Sequence, residues 1–177
     1  LQVEHTVTEM VTGIDLVALQ LRIAGGQTLA QLGLAQSQLA PPRGHAVQLR
    51  INMETMTPDG EVKPGGGTLA AFEPPDGFGV RVDTYGFAGY TTNPNFDSLL
   101  AKVVVHSASP RYADALAKAY RALCEFRIDG VPTNRTFLQA LLRHPDVIEN
   151  HVHTRWVEEH AAAWQVANAV RLPSQER

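Results

Sequence analysis

Several features that would point to particular classes of protein are missing from the sequence of 177 residues or are scarce in it. A single cysteine cannot form a disulfide within the chain, which excludes a small secreted scaffold held together by disulfides. No apolar run approaches the roughly 20 residues that a membrane-spanning helix needs, and no signal peptide can be recognised. The net charge is −3 without any block of lysine and arginine, so nucleic-acid binding has no electrostatic support. We therefore expect a soluble, cytoplasmic protein whose partners include neither a nucleic acid nor a membrane.

The composition is that of a globular protein. Apolar residues make up 44% of the chain, charged residues 19% and aromatic residues 7%. The length suffices for one domain, or for a small domain with part of a neighbour. Because the sequence starts without a methionine, we interpret it as a segment of a longer protein. Cys124 has apolar neighbours and is predicted to be a small core residue rather than a nucleophile.

A short helix is predicted near the start of the chain. Thr6 and Glu9 have the spacing of a capping box, in which each side chain accepts a free backbone N–H of the first helical turn. This pattern predicts a helix over residues 7–12, which Gly13 would end. Glu9 is therefore interpreted as a capping residue, and His5 is expected to pack or to cap rather than to bind a metal.

A second helix is predicted after Asp15, whose side chain can cap it. The glycines at positions 25 and 26 would end this helix in the left-handed conformation. Three apolar side chains fall on one helical face, Leu16, Leu19 and Ile23. Residues 27–42 show weak periodicity and end in two prolines, so we interpret them as a connector.

The clearest strand signal is the alternation in GHAVQLRINMET, residues 44–55. The apolar side chains point to one face of the strand, namely Val47, Leu49, Ile51 and Met53. The polar side chains point to the other face, namely Gln48, Arg50, Asn52 and Glu54. We expect the first face to be core and the second to carry polar function. Further strands are predicted near residues 68–72, 80–83 and 99–106. The glycine triplet at 65–67 is interpreted as a hairpin turn, because neither a following Lys-Ser/Thr nor a helix supports a phosphate-binding loop.

The rest of the sequence is predicted to be helical. One helix is expected to begin at Ser109 and Pro110, and another to begin at Thr133 and continue until Pro145. A final amphipathic helix is predicted over residues 154–169. The architecture is therefore predicted to be α+β, with an antiparallel strand cluster, helices packed against it and a helical entry segment.

A metal site is the alternative that the segment HVHTRWVEEH suggests. It contains five potential ligands, His151, His153, Glu158, Glu159 and His160. The two histidines His153 and His160 lie two helical turns apart, however, and the i, i+4 pair of helical zinc sites is missing. We therefore predict no metal bound by this chain.

Five motifs, taken in order, resemble those of biotin carboxylases. LQVEHTVTEMVTGIDLVALQLRIAGG resembles the end of the ATP-grasp region of these enzymes. GHAVQLRINMET, DGFGVRVD, NPNFDSLLAKVVV and FRIDGVPTN resemble successive motifs of their C-terminal domain. The resemblance implies the end of an ATP-grasp region at 1–31, a biotin carboxylase C-terminal domain at 44–154, and a C-terminal helix and linker at 155–177. INMET and YGFAGY favour single-chain bacterial acyl-CoA carboxylases over pyruvate carboxylases.

The resemblance also implies roles for particular residues. Biotin carboxylases activate bicarbonate with ATP to carboxyphosphate, which delivers carbon dioxide to a ureido nitrogen of biotin. By the match to the QVEH motif, Gln2, Glu4 and the backbone N–H of Val3 would hold bicarbonate, and Glu4 would remove its proton. By the match to the RIN motif, Arg50 would contact bicarbonate and the ureido oxygen of biotin. Thr6 stands where the family usually has proline.

The chemistry of these side chains agrees with those roles. Gln2 and Glu4 are two residues apart, so in an extended chain both point to one face. A bicarbonate site needs a fixed cation, an amide donor and a carboxylate near enough to take a proton. The planar, permanently charged guanidinium of Arg50 can contact two oxygens without entering proton transfer.

Three further residues match family positions at the subunit interface or the edge of the site. Phe78 and Arg81 are candidates for dimer contacts, and Asp97 is the third candidate. The alternative for these positions is an ordinary strand edge. Lys102, which interrupts an apolar strand, is expected to pair with Asp97 or to reach solvent along its stem, and no catalytic role is assigned to it.

The family's cofactors and partners follow from the same resemblance. Biotin on a carrier domain, ATP and Mg are expected, with ATP and Mg bound mainly by an upstream region outside this sequence. The expected partners are the upstream ATP-grasp and N-terminal domains, a biotin carboxyl carrier domain, a carboxyltransferase domain and a second copy of the chain in a homo-oligomer. The location would be the cytoplasm, or the mitochondrial matrix in a eukaryote. A second hypothesis is a noncatalytic module for assembly or dimerisation, in which Glu4 and Arg50 have no chemical role.

Overall fold

The computed structural model describes residues 4–56, 62–93 and 95–160 of the chain. Its helices are α1 (Thr6–Thr12), α2 (Leu16–Ala24), α3 (Tyr112–Glu125), α4 (Arg135–Leu141), α5 (Pro145–Ile148) and α6 (Trp156–Glu159), with a 3-10 turn at Gln36–Gln38. Its strands are β1 (His45–Asn52), β2 (Glu54–Met56), β3 (Val62–Pro64), β4 (Ala71–Glu73), β5 (Val80–Thr84), β6 (Leu99–Ser107) and β7 (Arg127–Asp129). This mixture of helices and antiparallel strands confirms the predicted α+β class.

A three-stranded antiparallel sheet in the order β1-β6-β5 forms the framework of the fold. The register places Arg50 of β1 opposite Lys102 of β6, and Lys102 opposite Asp83 of β5. Directly opposed residues of an antiparallel pair point to the same face. The three long strands therefore bring three charged side chains into one row across the sheet.

The two faces of this sheet differ as the alternation in β1 predicted. Leu49, Ile51 and the following Met53 are buried in the main core. Helix α3 packs on this face with a continuous apolar stripe, Ala115, Leu116, Ala119, Ala122 and Leu123. Helix α1 packs against β1 and β6. The charged row lies on the face opposite the main core, where Arg50 and Asp83 are partly exposed and Lys102 is largely covered.

The prediction that Cys124 belongs to the core is wrong. Its side chain is exposed on α3. A helix turns by about 100° at each residue, and the neighbouring Leu123 already faces the core. Cys124 therefore points away from the sheet, next to the side-chain amide of Gln139, whose nitrogen lies 3.6 Å from the sulfur.

The predicted starts of α3 and α4 are also wrong by one or two residues. Helix α3 begins at Tyr112, with Arg111 at the capping position rather than Ser109. The Ser109 hydroxyl instead donates to the carboxylate of Asp114 in the first turn. Helix α4 has Asn134 rather than Thr133 at its capping position. In both cases a tertiary or local side-chain contact, and not the capping preference of the residue, sets the boundary.

The glycine triplet at 65–67 is not a hairpin turn. It follows β3, which pairs with β2, and lies against other segments of the chain. A side chain at Gly65 would meet the ring of Pro132 at 2.6 Å, and one at Gly67 would meet the carbonyl oxygen of Gly130 at 2.9 Å. Gly65 and Gly67 are needed because the segment at residues 130–132 leaves no room for a side chain at either position. The short strands β4 and β7 pair beside this contact and were not predicted as a pair.

The end of the described chain contains a cluster of aromatic rings. Trp156 is buried, and its ring stacks on His160 with centroids 4.4 Å apart. His144 meets the same indole edge-on, at 4.8 Å. Helix α6 forms the start of the predicted helix over 154–169, and the remainder of that prediction lies outside the described residues. Across the described ranges, no helix has the length and apolar character needed to cross a membrane.

The predicted capping box at the start of α1 is wrong. His5 occupies the capping position without a side-chain hydrogen bond, and Thr6 lies within the helix. The buried hydroxyl of Thr6 donates to Oε1 of Gln48 on β1. Glu9 accepts the backbone N–H of Leu16 at 2.8 Å, so it satisfies the first turn of α2 instead. Both side chains therefore contact other elements of the fold and do not cap α1.

Helix α2 begins as predicted, with Asp15 accepting the backbone N–H of Ala18 at 2.8 Å. Gly26 adopts the left-handed conformation after the helix, with φ of 92°. The predicted apolar face is only half-buried within the described residues, and Ile23 is exposed. Residues 27–42 form the predicted connector, interrupted by the 3-10 turn.

Replacing Thr6 by valine is expected to destabilise the fold by about 1–3 kcal/mol, because the Gln48 side chain would lose its donor in a partly buried position. Valine has nearly the same volume as threonine, so packing should change little. The free energy of unfolding from urea titration measures the effect. Thr8→Val is the matched control, since Thr8 lies on the same helix and is only half-buried. Equal stability of the two variants would contradict the importance of the Thr6–Gln48 contact.

Candidate functional site

Four charged side chains converge on the face of the sheet that does not carry the main core. Glu4 Oε2 lies 3.1 Å from Nζ of Lys102, and Glu4 Oε1 lies 3.9 Å from Nη1 of Arg50. Nη2 of Arg50 donates to both carboxylate oxygens of Asp97, at 2.8 and 3.1 Å. Two cations thus face one carboxylate, while a second carboxylate holds the outer side of the guanidinium.

The positions of these groups follow from the fold. Arg50 and Lys102 are neighbours in the register of β1 and β6, so their separation is set by the sheet. Glu4 directly precedes the α1 cap, and α1 is attached to the sheet through Thr6 and Gln48. Glu4 and Arg50 are 46 positions apart in the sequence and are brought together by the fold. No periodic pattern in the sequence indicates that they meet.

The cluster is open to solvent on one side. The side chains of Glu4 and Arg50 are 49% and 40% exposed, whereas that of Lys102 is only 13% exposed. A small molecule can therefore reach the carboxylate and the guanidinium from solvent. The Lys102 side chain is largely covered by protein.

The surroundings of Asp97 stabilise its charged form. It accepts the backbone N–H of Leu99 at 2.9 Å and the guanidinium of Arg50, which together lower the pKa of its carboxyl. Because the folded-state pKa is lowered, the resulting stability is present above the ordinary aspartate pKa of about 3.9 and is lost as the pH falls through the lower folded-state value. The Arg50–Asp97 pair therefore stays charged throughout the neutral pH range.

Hydrogen bonds that involve Asn52, Glu54 and Asn134 hold Arg50 in place. Its Nε donates to Oδ1 of Asn52 at 3.3 Å, and Asn52 donates in turn to Glu54 at 3.2 Å. The side-chain amide of Asn134 donates to the carbonyl oxygen of Arg50 at 3.1 Å and accepts the backbone N–H of Asn52 at 3.0 Å. Asn134 was not assigned a role from the sequence. Its position at the end of FRIDGVPTN was the only available signal.

Arg81 is not a free strand-edge residue. Its guanidinium donates to Glu9 at 2.6 Å and to both oxygens of Asp83, at 2.7 and 2.8 Å. The hydrogen bonds to Asp83 and then to Glu9 raise the pKa of Arg81 further above its already high value. Within the described chain, this cluster fastens α1 to β5 and so helps to hold the segment that carries Glu4.

The other predicted site residues have mixed outcomes. Phe78 is 91% exposed, with Nζ of Lys118 5.8 Å from its ring centroid. Its interface role, like that of Arg81 and Asp97, stays a prediction. Lys102 pairs with Glu4 rather than with Asp97, because Asp97 is held by Arg50. Gln2 and Val3 lie outside the described residues.

The histidine-rich segment forms separate contacts. His151 lies 3.3 Å from Glu149, and His153 lies 3.5 Å from Glu159. His160 stacks on Trp156, as described above. In the part of the chain that the structure describes, no group of three or more histidine, cysteine, aspartate or glutamate side chains has an arrangement that could hold a metal ion.

Comparison with known families identifies the class of this chain. The biotin carboxylase C-terminal domain matches residues 48–159, more than half of the sequence. The chain therefore belongs to the biotin carboxylase C-terminal domain family, which confirms the resemblance seen in its motifs. Residues 1–32 match the family described as carbamoyl-phosphate synthase L chain, ATP binding domain.

Individual relatives are larger carboxylases. Pyruvate carboxylase of Aspergillus terreus is 43% identical over 160 residues, which are 90% of this chain and 13% of that protein. Biotin carboxylase of a Nostoc species is 42% identical over 159 residues, 90% of this chain and 34% of that protein. A solved single-chain, multi-domain long-chain acyl-CoA carboxylase matches with a TM-score of 0.88 and 46% identity, over 98% of this chain and 18% of that chain. The chain thus spans about a third or less of each relative.

Proposed function

We propose that this chain supplies the side of a biotin carboxylase site that faces bicarbonate and biotin, within a larger biotin-dependent carboxylase. The observation that carries the proposal is the convergence of Arg50 and Lys102 on Glu4 at the solvent-accessible face of the sheet. A carboxylate between two cations, open to solvent on one side, is suited to a small anion that must also lose a proton. Membership of the biotin carboxylase C-terminal domain family supports the same assignment.

In this proposal Glu4 is the base that accepts the proton of bicarbonate. Gln2 and the backbone N–H of Val3 would hold the anion beside it. The donor set fits bicarbonate, because a guanidinium and a carboxylate can contact different oxygens of one small planar anion. When bound, ATP with Mg activates the bicarbonate, and biotin supplies the nitrogen that accepts the carboxyl group. The nucleotide and Mg would be bound mainly by residues upstream of this sequence.

Arg50 would stabilise the negative charge that develops on the ureido oxygen of biotin. Its guanidinium is already oriented by Asp97 on one side and by Asn52 on another, so little reorganisation is needed as the charge forms. The remaining face of the guanidinium, at Nη1, is directed toward Glu4. Arg50 and Glu4 can therefore act on the same small region of space.

The wider assembly is part of the proposal. The carboxyl group would pass from a biotin carboxyl carrier domain to a carboxyltransferase domain, and the site would work within a homo-oligomer to which Phe78 and Arg81 contribute. The boundaries 1–31, 44–154 and 155–177 are proposed as before. Relatives include both an acyl-CoA carboxylase and a pyruvate carboxylase. The proposed location is the cytoplasm, or the mitochondrial matrix of a eukaryote.

Bicarbonate-dependent hydrolysis of ATP in the presence of free biotin tests the proposal. The assay compares this 177-residue chain with a longer chain that restores the natural upstream sequence through a complete ATP-binding region. We expect activity in the longer chain only. Activity in the short chain would show that nucleotide binds within it and would contradict the proposed division of the site. An inactive longer chain that still forms oligomers would favour the noncatalytic assembly module.

A further inference from the structure

We propose that Lys102 is a positioning residue, which holds the Glu4 carboxylate by one oxygen so that the other oxygen is presented to the substrate. This inference rests on the proposed function, because it assigns a purpose to the contact between Lys102 and the proposed base. It concerns a residue to which sequence reasoning gave no role in the chemistry.

The two oxygens of Glu4 have different surroundings. Oε2 is within hydrogen-bonding distance of the Lys102 ammonium, at 3.1 Å. Oε1 is 3.9 Å from the nearest Arg50 nitrogen, which is too far for a hydrogen bond. Oε1 is therefore the oxygen that can take the proton. In that step the O–H bond of bicarbonate breaks and a new O–H bond forms at Oε1, while Lys102 keeps its own protons.

Lys102 is well placed to fix Glu4 in this orientation. It lies on β6, which is hydrogen-bonded to β1 on one side and β5 on the other, so its backbone cannot shift easily. Its side chain is 13% exposed, compared with 49% for Glu4. The solvent-facing carboxylate is thus held by a largely covered lysine on the central strand.

A purely structural purpose explains this lysine poorly. Its neighbours on β6, including Leu100, Val103 and Val104, are fully buried and apolar. A charged group in such a strand costs desolvation energy that an apolar residue would avoid. Like charges directly opposite one another on a sheet are also unfavourable, and Lys102 is directly opposite Arg50. Asp83 lies opposite Lys102 on β5, but both of its carboxylate oxygens accept hydrogen bonds from Arg81. The carboxylate of Glu4 between Lys102 and Arg50 offsets that repulsion and gives the arrangement a chemical use.

The test uses the longer, ATP-binding chain and the variants Lys102→Met and Lys102→Arg. Methionine keeps the length of the stem and removes the charge, so Glu4 loses its fixed partner. We expect kcat for bicarbonate-dependent ATP cleavage to fall by on the order of 100-fold, as small misplacements of a reacting group can do. The KM for MgATP and the Tm should change little. Lys102→Arg, which restores a cation, should recover most of the lost kcat.

Lys118→Met is the matched control. Lys118 is a partly covered lysine on α3 whose ammonium binds the carbonyl oxygens of Phe78 and His106, at 3.2 and 2.9 Å. The Lys118→Met variant should keep its kcat within about threefold of that of the parent chain. This is smaller than a tenfold change, which corresponds to about 1.4 kcal/mol. If Lys102→Met does not fold, Lys102→Gln provides the same loss of charge in a polar side chain.

The outcomes separate this inference from the proposed function. If the parent chain is active and Glu4→Gln is inactive, but the charge-removing variant at position 102 keeps its kcat, the positioning role is overturned and the proposed function stands. A loss in Lys102→Arg as large as that in Lys102→Met would also overturn it, because charge would then not be the cause. An inactive parent chain would overturn the proposed function and this inference together.

Discussion

Replacing Glu4 by glutamine should reduce bicarbonate-dependent ATP cleavage by roughly 10²- to 10⁴-fold, which is the usual contribution of a general base. Glutamine has the same shape as glutamate but cannot accept the proton at neutral pH. The amide would still reach Lys102, which lies 3.1 Å from the carboxylate. The loss should therefore appear in kcat. The measurement is the rate of ATP cleavage with and without bicarbonate in the longer chain.

Glu125→Gln is the control for the Glu4 variant. Glu125 is exposed at the end of α3 and pairs with Arg121 at 3.2 Å, so the same chemical change occurs away from the cluster. An exposed pair of this kind contributes little to stability, and both kcat and Tm should stay near those of the parent chain. Full activity of Glu4→Gln would remove Glu4 from the proposed mechanism.

Replacing Arg50 by alanine should separate ATP cleavage from biotin carboxylation. The proposed base, Glu4, and its partner, Lys102, remain, so bicarbonate-dependent ATP cleavage should persist at a reduced rate. Carboxylation of free biotin should fall by on the order of 10²- to 10³-fold, the effect of losing one donor to a developing negative charge. Parallel assays of released phosphate and carboxylated biotin give the ratio of the two reactions.

Arg127→Ala provides a matched control for Arg50→Ala. Arg127 is also a strand arginine with two carboxylate partners, Glu73 at 2.9 Å and Asp129 at 2.8 Å, but it lies on the β4–β7 pair. Its loss should leave the ratio of phosphate to carboxylated biotin unchanged. If Arg50→Ala and Arg127→Ala gave the same ratio of phosphate to carboxylated biotin, the proposed role of Arg50 would be contradicted.

The parts of the fold that the sequence predicts well are those with a strong local pattern. The alternation around Arg50 correctly separates the core face of β1 from its polar face. The long apolar run at 99–106 corresponds closely to β6, and Asp15 correctly marks the start of α2. In each case the signal lies within a few residues, and the surrounding structure does not oppose it.

Several of the wrong predictions share a physical cause, which is a contact with a residue outside the local pattern. Thr6 and Glu9 have the right spacing for a capping box, but their side chains bind Gln48, Leu16 and Arg81. The glycine triplet has the composition of a turn, whereas its purpose is close contact with segments near residues 130 and 132. Local preferences are worth about a kilocalorie per mole, so tertiary contacts can override them.

The candidate site was predicted in part. The motifs placed Glu4 and Arg50 in one site, and the structure brings these two side chains to 3.9 Å. Residue types alone could not have joined them, since 45 residues separate them in the chain. The sequence marks Lys102 as a charge in an apolar strand that pairs with Asp97 or reaches solvent, whereas its carboxylate partner in the structure is Glu4. Asn134, which holds the backbone of β1, is marked in the sequence only by its position at the end of FRIDGVPTN.

The attachment of α1 to the sheet has a consequence for recombination between related carboxylases. The segment that carries Glu4 and the sheet that carries Arg50 match two different families and are joined only by the connector at 27–42. Among the described residues, the side-chain contacts that cross this junction include Thr6 with Gln48, Glu9 with Arg81, and Glu4 with both Lys102 and Arg50. A hybrid gene spliced in the connector inherits the two sides of each contact from different parents. Compatibility of such hybrids therefore depends on these residue pairs as well as on the linker through which the parents are joined.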